Sequence, residues 1–246
     1  MPHERYIQRC LTLAAKGKSY TAPNPMVGCV IVYDNRIIGE GYHEQVGQAH
    51  AEINAINSID TSDLVYLPAA TLYVNLEPCA HHGRTPPCAD AIIRAGIQRV
   101  VIGTTDNYSK VNGAGITRLK EAGIEVVVGV MQQECWHLNK QFFTAHKEHR
   151  PFITLKWAQD SHGHIATDDG TQHWFTGAYT QYFTHQLRAT HQGIWVGTNT
   201  ILLDHPSLDN RLTIGVSPTK IIVNRNNTIP LDHSIFHNGK IMYIAK

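Results

Sequence analysis

The feature that most narrows the fold is an alternation. Near-continuous Val/Ile runs occur in "MVGCVIVYDNRIIGEGYH", "ATLYVNL" (70–76), "RVVIGTT" (99–105) and "IEVVVGV" (124–130). Strands this apolar have no side to give to water, so both faces of their sheet must be covered. The segments between them have helical spacing. Ile7, Leu11 and Ala14 share one stripe in residues 4–16, with Gly17 as a stop; "AHAEINAINSI" (49–59), "CADAIIRAG" (88–96) and 113–122 follow. "QQECWHLNKQFFTAHKE" (132–148) reads as one long helix. Within the first run, Asp34–Asn35 marks a turn between two strands. Strands and helices in this order predict an α/β sheet covered on both sides.

The pattern closes near residue 148. "HRPFITLKWAQ" then restarts the chain, with Arg150–Pro151 as a boundary. Strand signals recur at 152–157, 193–197, 219–224 and 240–245, and a helix is expected near 178–191. A length of 246 residues suits two domains, 1–147 and 148–246. The second has fewer than 100 residues and stops on a strand, "KIMYIAK".

Bulk composition removes several classes of function. Apolar residues make up 42%, charged residues 17%, and the net charge is +1. With no long basic run, nucleic acid is not the expected partner, whereas a small molecule bearing one phosphate is compatible. The N-terminus lacks an apolar signal core, and no apolar stretch reaches membrane-spanning length. A cytoplasmic protein is expected. Five cysteines, an odd number, suit a reducing compartment and argue against a disulfide.

The densest chemistry lies in "EPCAHHGRTPPCADAII", Glu77 to Ile93. Cys79 and Cys88 there have a partner upstream in "HAE", His50 and Glu52. Zinc takes imidazole and thiolate ligands, and a catalytic site leaves one position to water. His50, Cys79 and Cys88 as ligands, with Glu52 as a proton carrier, form the donor set of zinc deaminases, which pair H-x-E with P-C-x-x-C. Here the second half is P-C-x8-C. Two other readings stay open on the residues alone: a structural zinc using His81 or His82 as fourth ligand, and two buried thiols beside a surface histidine.

Taken with "PNPMVGCV", "GEGYH" and "HAE", the insertion "CAHHGRTPPC" resembles the bifunctional deaminase–reductases of riboflavin biosynthesis. That resemblance covers the whole chain. It implies a cytidine-deaminase-like three-layer domain over 1–147, acting on a diaminopyrimidinone with a ribosyl-phosphate arm. His50, Cys79 and Cys88 would hold Zn2+ and Glu52 would move protons. Asn24, His43, Arg84 and Thr85 match positions that contact substrate, and a guanidinium such as that of Arg84 suits a phosphate. A dimer is expected. One departure is Tyr108, which stands where the family has Asn in a turn before "GAG".

Residues 150–211 resemble the family's reductase domain, dihydrofolate-reductase-like and dependent on NADPH. "THQLRATHQGIWVGTNTILLDHPSLDNRL" carries most of the likeness. It implies Ala158, Trp174, Thr200 and Asp204 at the cofactor, and Gln172, Arg188, Leu208 and Arg211 at the substrate. His162 replaces an Asp of the family's "SLDG" turn, and the family's later Gly-rich segment lies beyond this sequence, so an incomplete reductase domain is expected. The alternatives to a bifunctional enzyme are a deaminase whose second domain is not catalytic, a nucleic-acid base deaminase, and a zinc module without catalysis.

Overall fold

The computed structural model describes residues 2–81, 86–106, 113–167 and 175–244. They divide into two compact units, Met1–Ile153 and Thr154–Lys246, so the division falls six residues after the boundary expected from the sequence.

The first unit carries a five-stranded sheet made of β1 (Gly28–Tyr33), β2 (Arg36–Tyr42), β3 (Thr71–Leu76), β4 (Arg99–Thr104) and β5 (Glu125–Val128). The strand order is β2-β1-β3-β4-β5. β1 pairs antiparallel with β2 and β3, while β3, β4 and β5 run parallel. Asp34 and Asn35 make the β1–β2 turn at φ 46° and 61°, the left-handed pair that a two-residue hairpin needs.

Side chains alternate across this sheet, as a pleat requires. Cys29, Ile31, Leu72, Val74, Val100 and Ile102 pack on one face against α2 (Ala51–Asn57), α3 (Cys88–Arg94) and α4 (Ala114–Glu121), through Ala55, Ile92 and Leu119. Val30, Val32, Tyr73 and Val101 point the other way, onto Tyr6, Ile7, Cys10 and Leu11 of α1 (Pro2–Ala14) and Cys135. Three layers result, with β1, β3 and β4 buried between helices. Gly103 in β4 has no room for a larger residue, since a Cβ there would come 2.3 Å from Cys135 Sγ.

The segment 132–148 is two helices, α5 (Gln132–Leu138) and α6 (Lys140–Glu148), not one. The break is at Asn139, which leaves helical geometry at φ −106°, ψ 21°. Its buried amide instead accepts from Met26 N and donates to Met26 O, both at 2.8 Å. A polar side chain satisfied by a distant backbone here outweighs helical spacing.

The second unit contains α7 (Ala178–Thr190), β6 (Gly193–Gly197), α8 (Thr198–Asp204), β7 (Thr219–Val223) and β8 (Ile241–Ile244). The strands form a parallel sheet in the order β6-β7-β8. Ile194, Val196, Ile222 and Ile241 face a small core with Ile201, Leu208, Ile229 and Ile235. On the opposite face Trp195 aligns with Ile221 and Ile221 with Met242, and Trp195 and Met242 are exposed. The strand expected at 152–157 does not form: Ile153, Leu155 and Trp157 are exposed, and no described strand pairs with them. Alternating apolar residues make a strand only when a neighbour takes up their backbone groups.

Candidate active site

His50 is the N-cap residue of α2, in extended geometry, and Glu52 sits in that helix's first turn. Cys79 follows β3 after Pro78, and Cys88 opens α3. The sheet brings these four together because β3 lies beside β1, and α2 and α3 cover the same face.

His50 Nδ1 lies 3.2 Å from Cys88 Sγ and 3.6 Å from Cys79 Sγ. Tetrahedral zinc, with bonds of about 2.3 Å to sulfur and 2.0–2.1 Å to nitrogen, sets an N···S edge near 3.5 Å, so the donor set fits that ion. The Cys88 backbone N–H, at the start of α3, donates to Cys79 Sγ at 3.3 Å. Hydrogen bonds from Cys88 and His50 push the Cys79 thiol down to about 4, which makes it the thiolate of the pair. Its hydrogen bond to Cys79, together with burial, pushes the Cys88 thiol up. None of the five cysteines is joined to another, and His81 is exposed and outside the cluster. His82 lies outside the described residues.

Glu52 is 3% exposed. Burial first, and the Cys79 charge second, push its carboxyl up to about 7. A carboxyl with that affinity both takes and returns a proton near neutral pH.

His43 and Asn24 stand beside the cluster. The His43 ring meets the His50 ring edge-on, 5.4 Å between centroids. His43 Nδ1 donates to Ala49 O at 3.1 Å, which leaves Nε2 to accept from Asn24 Nδ2 at 3.2 Å. Burial lowers the His43 pKa, and this neutral tautomer is the one both bonds require. Arg84 and Thr85, also expected near the substrate, lie outside the described residues, as does Tyr108.

Glu77, Asn75 and Asn139 were not among the residues singled out from the sequence, yet they build the frame of the site. The Glu77 carboxylate, 4% exposed, accepts four backbone N–H bonds among the described residues. Asp106 and Gly113 bond Oε2 at 3.1 and 3.2 Å; Gly115 and Ile116 bond Oε1 at 3.0 and 3.3 Å. Glu77 thereby ties the Pro78–Cys79 turn to the first turn of α4. The approach is so close that a Cβ on Gly115 would come 1.9 Å from Pro78 O. Asn75 accepts from Gly28 N at 2.8 Å and donates to Met26 O at 3.1 Å, so it and Asn139 together hold the end of the loop that carries Asn24. The signal for both Glu77 and Asn75 is a polar residue in or directly after a buried, mainly apolar strand.

In the second unit, Arg188 on α7 is half-buried. It donates to Asp209 O at 2.9 Å, and its buried Nε has no hydrogen-bond partner among the described residues. Burial lowers the Arg188 pKa, and the nearby Arg211 adds to the effect. Arg211 bonds Asp209 Oδ1 at 2.5 Å and, through its backbone N–H, His185 Nδ1 at 3.1 Å. Two guanidinium groups this close suit an anion such as phosphate. Leu208 packs its side chain in the core at φ +56°, leaving its backbone as the part that can meet a ligand. Thr200 is in the first turn of α8, past the C-terminal end of β6, where open parallel sheets take ligands. Asp204 ends that helix and is exposed; Ala158 is partly buried. Gln172 and Trp174 lie outside the described residues.

These features define a deaminase-type zinc-binding domain followed by a reductase-type domain. Residues 1–104 match the family model for the cytidine and deoxycytidylate deaminase zinc-binding region, and residues 151–245 match that for the RibD C-terminal domain. A deaminase/reductase of Thermotoga maritima is similar in structure, with TM-score 0.92 and 38% identity over 99% of this chain and 69% of that one. RibD of Acinetobacter baumannii gives TM-score 0.93 at 36% identity, over 100% of this chain and 70% of that one. The riboflavin biosynthesis protein RibD of Aquifex aeolicus is 43% identical over 95% of this chain. The chain belongs to the RibD family. It spans 65% of the length of the Aquifex relative and 61% of that from Actinobacillus pleuropneumoniae. Among the described residues, no helix is long and apolar enough to cross a membrane.

Proposed function

We propose that residues 1–147 are a zinc-dependent deaminase of riboflavin biosynthesis. Its substrate is a diaminopyrimidinone bearing a ribosyl-phosphate arm, and its product the corresponding 5-aminouracil. The observation that carries this reading is the meeting of His50, Cys79 and Cys88 donors beside the buried Glu52 carboxyl. A zinc ion held there supplies a Lewis acid that makes a water nucleophilic near neutral pH. Glu52 accepts a proton from that water as its oxygen bonds to the ring carbon that carries the amine. The same carboxyl returns the proton to the amine nitrogen, and ammonia leaves as the ring C–N bond breaks. Asn24 and His43, locked together, orient the ring, and Arg84 with Thr85 receives the phosphate. Burial of Glu52 keeps its proton out of exchange with bulk water.

Residues 148–246 belong, in this reading, to an NADPH-dependent reductase domain that opens the ribosyl group to a ribityl chain. The cofactor brings the hydride, and the protein positions it. Arg188 and Arg211, with Gln172 and Leu208, hold the phosphorylated substrate; Ala158, Trp174, Thr200 and Asp204 hold the nicotinamide cofactor. The unsatisfied Arg188 Nε supports an anion at that place. The protein acts as a homodimer, in the cytoplasm, on a free small molecule and not on nucleic acid; the near-neutral charge supports the choice of a small molecule over nucleic acid, and the five unpaired cysteines support a reducing compartment.

The test is ammonia release from the phosphorylated diaminopyrimidinone by the zinc-loaded chain, followed by addition of NADPH. Ammonia release that Glu52→Gln abolishes is the expected result. No release from the pyrimidine would refute the deaminase reading, and NADPH oxidation that Arg188→Ala leaves unchanged would refute the roles given to the second domain.

A further inference from the structure

The "DSHGH" turn, Asp160 to His164, has no part in the functions above. It brings three metal-capable side chains together: donor atoms of Asp160, His162 and His164 lie within 4.8 Å of one another. The two oxygens of Asp160 divide their work. Oδ1 accepts the backbone N–H of His162 and of His164, each at 2.8 Å. Asp160 N–H donates to His164 O at 3.0 Å, and Gly163 completes the turn at φ +89°. Oδ2 is left pointing at the imidazoles, 3.0 Å from His164 Nδ1 and 3.9 Å from His162 Nδ1. The two rings lie side by side, 6.0 Å apart and 26° from parallel.

Bonds of about 2.0–2.2 Å from a divalent ion to nitrogen and carboxylate oxygen give donor-to-donor edges of roughly 3–3.6 Å. The observed 3.0 and 3.9 Å bracket that range. Only the His162 ring has to swing inward; 78% of its side chain is exposed, and the move gives up one contact, between Ser161 Oγ and His162 Nδ1 at 3.3 Å. The backbone of the turn is already fixed by Oδ1, so little chain entropy is lost on binding. Two imidazoles with one carboxylate favour zinc, nickel or copper over magnesium or calcium.

We propose that Asp160, His162 and His164 form a second divalent transition-metal site, in the second unit, of the class that binds zinc. It is independent of the cysteine-bearing centre. Without a thiolate and open to water, it binds its ion more weakly than that centre does. The pair His205–His233, with ring nitrogens 2.9 Å apart, brings only two donors and serves as a control.

The experiment is calorimetric titration with zinc chloride of chain that already holds one equivalent of zinc, with metal counted after dialysis. One further, weaker equivalent is expected. Asp160→Asn keeps the oxygen that builds the turn but puts an NH2 group in place of Oδ2; it should lose that equivalent, as should the His162→Ala, His164→Ala double variant. The His205→Ala, His233→Ala double variant should keep it. Cys88→Ser should lose the first equivalent and keep the weaker one, which separates the two sites. A wild-type chain that takes up no further zinc, or undiminished uptake by Asp160→Asn and the His162/His164 variant, would overturn the assignment.

Discussion

Glu77→Gln removes no metal ligand and no group that touches substrate, yet the structure makes it costly. Among the described residues the carboxylate serves two pairs of backbone N–H groups, one pair on each oxygen. A glutamine has one oxygen, so whichever way its amide turns, one pair faces an NH2 group. Each pair holds one buried N–H and one half-buried N–H: Asp106 with Gly113, or Gly115 with Ile116. A buried donor left without an acceptor costs about 1–3 kcal/mol, and roughly 1 kcal/mol is a fair allowance for the half-buried one. The loss of stability is then about 2–4 kcal/mol. The assay is amide hydrogen exchange over residues 113–121. Protection governed by this unit's opening should fall by roughly 30- to 1000-fold, each 1.4 kcal/mol being a factor of ten. Zinc content should stay at the wild-type level. Unchanged protection would refute the reasoning and mean that water satisfies the abandoned donors.

Glu52→Gln should retain zinc while deamination falls by about 10²- to 10⁴-fold, the range for removing a general acid–base group; ammonia release measures it, and near-normal turnover would assign the proton transfer elsewhere. Cys88→Ser should lose most of the zinc, as read by metal analysis. Arg188→Ala should raise KM for the phosphorylated reductase substrate more than it lowers kcat, because a phosphate remote from the reacting carbon contributes mainly uniform binding. Arg9 binds Glu40 through two hydrogen bonds of 2.9 and 2.7 Å and holds its carboxyl below the usual range. The folded pKa of Glu40 is therefore lower than the unfolded one. The pair's contribution is complete above the ordinary carboxylate pKa and is lost as pH falls through the lowered value. Arg9→Gln should flatten the acid limb of a stability-against-pH curve, and an unchanged limb would count against it.

The three-layer first unit was legible because its strands advertise themselves. Residues such as Val30–Val32 and Val100–Ile102 are apolar in unbroken runs, which only a doubly covered sheet accepts. The meeting of His50, Cys79 and Cys88 beside Glu52 was legible because these residue types are chemically rare in that arrangement. What escaped depends on partners distant in the chain. Asn139 sits in a run of good helical spacing, and nothing local says that Met26, 113 residues away, will take its amide. Glu77 looks like a solvated charge beside a turn until α4 is folded onto it. Ile153, Leu155 and Trp157 alternate like a strand, but alternation cannot supply the neighbouring backbone that a strand needs.

The most direct measurement is zinc-edge X-ray absorption on the chain loaded with a single equivalent of zinc. Coordination by two sulfurs at about 2.3 Å and by nitrogen or oxygen at about 2.0–2.1 Å is the predicted result, with His50, Cys79 and Cys88 as protein ligands and one position left to water. A first shell with no sulfur, or one made of four protein ligands, would contradict a catalytic centre at this place.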